Sequence, residues 1–201
     1  IWQQNLCKSQ ITQQCVLNTA QPKNWDILGL QEPFLDSLGN TKASLYWRVL
    51  YPSNHHKDNS DCSCSVLLIN TNINTNSYTP LDIHCNNITA VHFSGEFGSI
   101  SIFNIYNDCT YNNVLLLLHS FLTTSFPLAR PTPHDQMLWI SNFNRHHSLW
   151  ELETNRRLNS TRQTIDPLLD LLHDFDMVLT LPLGIPTLEM ATGNWTRPDN
   201  V

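Results

Sequence analysis

An α/β or α+β domain is predicted by three features of this chain. They are a succession of short apolar runs of strand length, an apolar stripe at helical spacing over residues 112–126, and the lack of any repeat, low-complexity tract or linker. A chain of 201 residues is long enough to bury a real core, and one domain spanning 1–201 is expected. Only 14% of the residues are charged and glycine occurs six times, while Asn, Thr and Ser carry much of the polarity. That balance predicts many turns rather than disorder.

The first strand is expected over Ile1–Leu6, followed by a helix opened by Ser9 or Thr12 that carries Ile11, Cys15 and Val16 on one side. Trp25–Leu30 (WDILGL) is a compact apolar strand running into Gln31, Glu32 and Pro33, where proline blocks further pairing. A turn at Gly39–Thr41 precedes strands expected at Tyr46–Tyr51 and Ser65–Ile69, with a polar loop, Pro52–Asp61, between them. Asn70–Pro80 reads as a hairpin connection, and Ile88–Phe93 and Ser99–Tyr106 as strands joined by a turn at Gly95–Gly98. Asn112–Phe126 aligns Val114, Leu117, Leu118, Phe121 and Leu122 on one helical stripe, which Pro127, Pro131 and Pro133 then stop. Met137–Ile140 is the next strand. Asp166 and Pro167 fit the N-cap and first position of a helix ending near Asp174. Met177–Leu181 reads as a strand, Pro182–Pro186 as a turn, and Thr187–Trp195 as a loop or short strand.

A net charge of −6 excludes a protein that attracts polyanions with its whole surface, so any nucleic-acid contact has to be local or metal-mediated. The apolar run Val114–Leu118 is far too short to span a bilayer, and Ile1–Gln14 lacks the pattern of a secretory signal, so no membrane partner is expected. Cys7, Cys15, Cys62, Cys64, Cys85 and Cys109 form no paired framework, which fits a reducing, intracellular setting. A zinc site from His55, His56, Asp61, Cys62 and Cys64 is the weaker alternative, since ligating cysteines one residue apart are unusual. Sequons at Asn87, Asn159 and Asn194 are expected by chance in so Asn- and Thr-rich a chain.

Polar groups recur at strand ends: Asn5, Glu32, Asn107 with Asp108, and Asn142 with Asn144. The last pair lies in WISNFNRHHSLWE (139–151), which by itself fits either a hydrogen-bonded turn leaving a sheet or a catalytic strand end.

Six blocks in order, IWQQNLCKS (1–9), WDILGLQEPFLD (25–36), GNTKASLYWRVLYP (39–52), FNIYNDC (103–109), NFNRHHSLWE (142–151) and NWTRPDNV (194–201), resemble the endonuclease/exonuclease/phosphatase superfamily. The nearest resemblance is to the apurinic-type endonuclease domain of fungal non-LTR retrotransposons. It implies the deoxyribonuclease-I-like fold, a sandwich of two mixed β-sheets flanked by helices with its site at one end. It also implies DNA as partner, Mg2+ or Mn2+ as cofactor, a downstream reverse transcriptase in a full-length element, and work in the nucleus. By the same resemblance Asn5 and Glu32 hold the metal, and Asn142, Asn144, Tyr106 and Asp199 form the catalytic set. Asn107, Asp108, Arg145, His146, Thr196 and Arg197 then meet nucleic acid. Glutamate supplies the hard anionic oxygen that magnesium prefers.

The chain departs from that pattern at Ser141-Asn142-Phe143-Asn144, where the family carries Gly-Asp-Phe-Asn. An asparagine accepts a hydrogen bond but takes no proton. The family's terminal Ser-Asp-His block falls beyond Val201, so the expected sandwich lacks its C-terminal strand and loop. His146 and His147 are read as structural or DNA-facing rather than as substitutes for that histidine. The expectation is therefore a DNA-nicking endonuclease domain of weak or absent activity. The alternatives are a non-catalytic remnant that binds nucleic acid or a protein through the old cleft, and a small-molecule phosphatase, which RHHSLWE and TRPDN disfavour.

Overall fold

The computed structural model describes the chain apart from residues 57–61, 97, 127–134, 153–160, 190–192, 194, 198 and 201, and gives the backbone alone for 195, 196, 199 and 200. Its contacts define two compact units, Ile1–Tyr106 with Arg130–Ile140, and Asn107–Ala129 with Ser141–Val201.

The first unit holds β1 (Trp2–Asn5), α1 (Gln10–Thr19), β2 (Ile27–Gln31), β3 (Trp47–Leu50), β4 (Ser65–Asn70), β5 (Tyr78–Leu81), β6 (Ile88–Gly95), β7 (Gly98–Tyr106) and most of β8 (Gln136–Asn142). One sheet runs β1-β2-β4-β3, with β1 parallel to β2 and the other pairs antiparallel. The other runs β8-β7-β6-β5. Every residue of β2 and β4 is buried, which is why ILGLQ and SVLLIN read as continuous apolar runs rather than alternating ones. Leu28, Leu30, Val66 and Leu68 share one core with Val16 and Ala20 of the α1 segment. On the opposite face Gly29 abuts Ile140 and Asn104 of the second sheet.

Helix α1 starts where expected, with Ser9 Oγ accepting from the Thr12 backbone N at 3.2 Å. Its buried face differs from the expected one: Ile11 is 78% exposed and Cys15 is exposed, while Gln13 and Val16 turn inward. Gln13 is drawn in because its amide donates to Thr41 Oγ1 at 2.7 Å and to the Lys42 carbonyl at 2.6 Å. The connection expected over Asn70–Pro80 also contains the start of β5, whose pairing with β6 outweighs the weak local strand propensity of a Thr-Pro pair.

The second unit contains α2 (Asn113–Thr124), the end of β8, α3 (Arg162–Asp174), and the short strands β9 (Leu188–Glu189), β10 (Trp195–Thr196) and β11 (Asp199–Asn200). Strand β10 pairs antiparallel with β9, and β11 pairs antiparallel with the end of β8, matching Asp199 to Asn142. Helix α2 buries Val114, Leu115, Leu118 and Leu122, while Leu117, expected on the stripe, is 45% exposed. The prolines expected to stop α2 lie outside the described residues.

Helix α3 begins a full turn before the expected Asp166-Pro167 start, with Pro167 inside it. A proline there removes the donor for the carbonyl four residues back and normally breaks the helix. Here that carbonyl, Gln163 O, accepts from Asn112 Nδ2 at 2.8 Å, so the missing bond is supplied from outside the helix. The strand expected over Met177–Leu181 does not form. Met177 N turns back to Leu172 O at 2.8 Å, and the carbonyls of Leu181 and Pro182 accept from the Arg197 guanidinium instead of a strand.

Gly29→Ala should lower the unfolding free energy by about 1–3 kcal/mol in urea titration, because an added Cβ collides with Ile140 Cδ1 in a closed core. An unchanged midpoint would show that Ile140 yields freely.

Candidate active site

The first unit carries the two residues expected to bind metal. Asn5 ends β1 in register with Gln31, and its Nδ2 donates to Glu32 Oε2 at 3.1 Å. Its Oδ1 accepts from Cys7 N at 2.8 Å. Glu32 follows β2 with φ +44, a left-handed backbone that is costly for a residue with a side chain, by about 1–3 kcal/mol. Both of its backbone polar groups are tied down: Glu32 N donates to Cys64 O and Glu32 O accepts from Lys8 N, each at 2.8 Å. The strained turn is thereby over-determined, and it aims the half-buried carboxylate at Asn5.

Beneath this pair runs a buried carboxamide relay that sequence reading missed. Gln3 Nε2 donates to Gln31 Oε1 at 3.2 Å, and Gln31 Nε2 donates to Asn104 Oδ1 at 2.5 Å. Asn104 Nδ2 in turn donates to the carbonyls of Leu30 and Val66 at 3.1 and 2.8 Å. Tyr106, expected in the catalytic set, is half-buried at the end of β7, its N bonded to Asn87 O at 2.9 Å.

One carboxylate beside one carboxamide suits Mg2+ or Mn2+, which are held by few protein oxygens and keep waters. Rotation of the Asn5 amide brings its oxygen beside Glu32, at the loss of the Cys7 contact. Among the described residues no group of three His, Cys, Asp or Glu side chains gathers around a point. The His55–Cys64 reading is left with His55 stacked on Tyr51, ring centroids 3.8 Å apart, and bonded through Nδ1 to Ser63 Oγ at 2.9 Å. Its Asp61 lies outside the described residues.

In the second unit the NFNRHH turn is built from side-chain caps. Asn142 Oδ1 accepts from Asn144 N at 3.1 Å, and the Asn142 carbonyl accepts from Asn107 N at 2.9 Å. Asn144 adopts φ +51, tolerable for asparagine, and its Nδ2 donates to Asn107 O at 2.8 Å. Asn107, expected to meet nucleic acid, is instead fully buried, its amide donating to the carbonyls of Phe143 and Asp108. Asp108 turns a carboxylate oxygen onto Thr110 N at 2.6 Å, a local turn.

Arg145 corrects its expected role most clearly. Only 1% exposed, its guanidinium donates to the carbonyls of Thr164, Asp108, Asn144 and Tyr111 and to Asn112 Oδ1, at 2.7–3.1 Å. Arg197 is likewise 1% exposed and spent on Leu181 and Pro182. Both were expected on a DNA-facing surface, and both instead satisfy loop carbonyls that no ladder reaches. Burial pushes both guanidinium groups below their ordinary value. Thr196 and Asp199 lie in β10 and β11, whose side chains are outside the described set. His146 is mostly buried and contacts Glu151, itself 3% exposed, a partnership with no sequence signal beyond a shared block.

No protein-family model and no curated protein sequence matches the chain. Among solved structures it is similar to the endonuclease domain of TRAS1, a telomere-specific non-LTR retrotransposon, at TM-score 0.70 and 15% identity over 98% of this chain and 81% of that one. The chain has the deoxyribonuclease-I-like fold. A second similar structure, TDP2 from C. elegans, gives TM-score 0.43 and 12% identity over 66% of this chain and 42% of that one.

Arg145→Ala should cost about 3 kcal/mol or more, because it leaves several carbonyls without a donor at about 1–3 kcal/mol for each one buried, read as a fall in the thermal unfolding midpoint. A loss under about 1 kcal/mol, the scale of an exposed pair, would return Arg145 to the surface role. Burial, then the charge of His56, push the His55 imidazole below its ordinary value. The stability His55 contributes is full above the unfolded value of about 6.5 and is lost as pH falls toward the folded value. His55→Gln should therefore flatten the loss of stability as pH falls below about 6.5, and an unchanged slope would refute this.

Proposed function

We propose that the chain is a divalent-metal-dependent endonuclease domain that nicks DNA, and that its activity is weak. The observation that carries the reading is the Asn5–Glu32 pair, a hard-oxygen donor set held at two strand ends by a strained but fully bonded backbone. Hydrolysing a phosphodiester requires charge on the phosphoryl oxygens to be offset, and a Mg2+ or Mn2+ ion held by Glu32 and Asn5 supplies that. A net charge of −6, with Arg145 and Arg197 buried, leaves local contacts and the metal to draw the substrate in. The sequence resemblance assigns Tyr106 in the first unit, and Asn144, His146, Thr196 and Asp199 in the second, to nucleic-acid contact or its support.

Asn142 is the ground for weakness. Its Oδ1 already caps Asn144 N, and a carboxamide accepts no proton from an attacking water. The same observation favours a second reading, a non-catalytic domain that retains nucleic-acid binding.

A supercoiled-plasmid assay with Mg2+ separates the two. Slow nicking should disappear on chelation and with Glu32→Ala, and Asn142→Asp should raise the rate by at least about a hundredfold, the usual contribution of a general base. Equal rates for the two proteins would overturn the impairment. DNA binding that survives chelation, with nicking by neither protein, would favour the second reading.

A further inference from the structure

The chain after β1 stays paired to the chain after β2 beyond their last strand partners. Leu6 N donates to Gln31 O at 2.9 Å and Lys8 N to Glu32 O at 2.8 Å, so Lys8 stands one backbone hydrogen bond from the residue proposed to hold the metal. Cys7 and Lys8 adopt φ +48 and +58, successive residues in a left-handed region that side chains disfavour. The turn is held from both ends. Cys7 N donates to Asn5 Oδ1 at 2.8 Å, and Ser9 N donates to Leu6 O at 2.9 Å while Ser9 Oγ caps α1. Strained backbone that its surroundings hold in place is concentrated at functional sites, and this turn presents a lysine. The Lys8 side chain is exposed and enters no hydrogen bond or ion pair among the described residues. The other described cationic side chains of the first unit are spent or placed elsewhere. Lys42 lies over the Phe34 ring, 5.5 Å from its centroid, Arg48 donates to Tyr78 Oη at 2.9 Å, and Lys23 follows the far end of α1.

We infer that Lys8 binds a DNA backbone phosphate at the Asn5–Glu32 end of the first unit, beside the phosphate that a metal on Glu32 engages. The inference rests on the endonuclease reading above and names the cation that reading otherwise lacks. An ammonium is a compact point charge with three donors on a flexible four-carbon stem, so it meets phosphate oxygens from many directions and reads no base. Its backbone anchor to Glu32 keeps the contact local, which a chain of net charge −6 requires of any polyanion site. Each phosphate neutralised in this way releases condensed counterions, and the contact therefore carries a salt signature.

Affinity for a short DNA duplex is measured against KCl concentration at a fixed, low Mg2+ concentration for the unmodified chain, Lys8→Asn, Lys8→Arg and Lys23→Asn, and plasmid nicking is read separately. Asparagine is chosen because it tolerates the left-handed backbone at position 8. Lys8→Asn should weaken binding and make the slope of log affinity against log salt shallower by about 0.9, the value for one phosphate contact where monovalent salt dominates. Lys8→Arg should restore the slope, and Lys23→Asn should leave it unchanged. Nicking by Lys8→Asn should fall with affinity and recover at saturating DNA. An unchanged slope in Lys8→Asn, an equal loss in Lys23→Asn, or no restoration by arginine overturns the inference, and Mg2+-dependent nicking by the unmodified chain then leaves the endonuclease reading standing. Binding with the lysine-dependent slope but without nicking overturns the endonuclease reading alone. Neither binding nor nicking by the unmodified chain overturns both.

Discussion

The Asn104 carboxamide is the contact on which the first unit depends, because it reads two strands of the facing sheet at once. Its Nδ2 bonds Leu30 O of β2 and Val66 O of β4, and its Oδ1 accepts from Gln31, which in turn receives Gln3 from β1. Each such bond contributes only about 0.5–1.5 kcal/mol net, but leaving any one buried group unpaired costs about 1–3 kcal/mol. A slip of one residue in β2, β4 or β7 would strand several of them together. Register is therefore held by polar complementarity as well as by the apolar faces, and Glu32, directly after Gln31, inherits its position from that register.

The second unit solves a different problem. It has little sheet and much irregular loop, so many carbonyls lack ladder partners. Arg145 and Arg197 supply donors to six of them, four from Arg145 and two from Arg197, with the planar fork of each side chain reaching several at once. Two cations thereby leave the surface of a chain that already has few. The same two residues tie loop segments together and offer no guanidinium to solvent.

Position 142 shows how folding and chemistry can part company. The turn needs an acceptor oxygen there to cap Asn144 N, and a carboxylate or a carboxamide serves equally. Only proton transfer distinguishes them. A carboxamide in place of a carboxylate at such a position keeps the cap and removes the charge. Glu32 is the opposite case under the metal-dependent reading proposed above, since a neutral residue can accept the hydrogen bond from Asn5 but lacks the charge a hard cation requires.

By itself the sequence determined most elements of the first unit, because periodicity and caps are local: the start of α1 at Ser9, one of the two positions offered, the doubly buried runs of β2 and β4, and the fold-back of β6 onto β7 were legible. It also determined that Asn5 and Glu32 stand at strand ends, and that residue 142 carries no charge. Tertiary structure decided where the long polar side chains spend their donors. Arg145, Arg197 and Asn107 turn inward, and α3 runs through Pro167, because distant groups arrive beside them; the Asn112 amide that accepts the task at Gln163 is 51 residues away. The pairing of His146 with Glu151, five residues apart, depends instead on how the intervening turn closes. Local pattern encodes which face of an element is apolar, but the partner of a flexible donor depends on which carbonyl or carboxylate the folded chain brings within reach, and no spacing in the sequence records that.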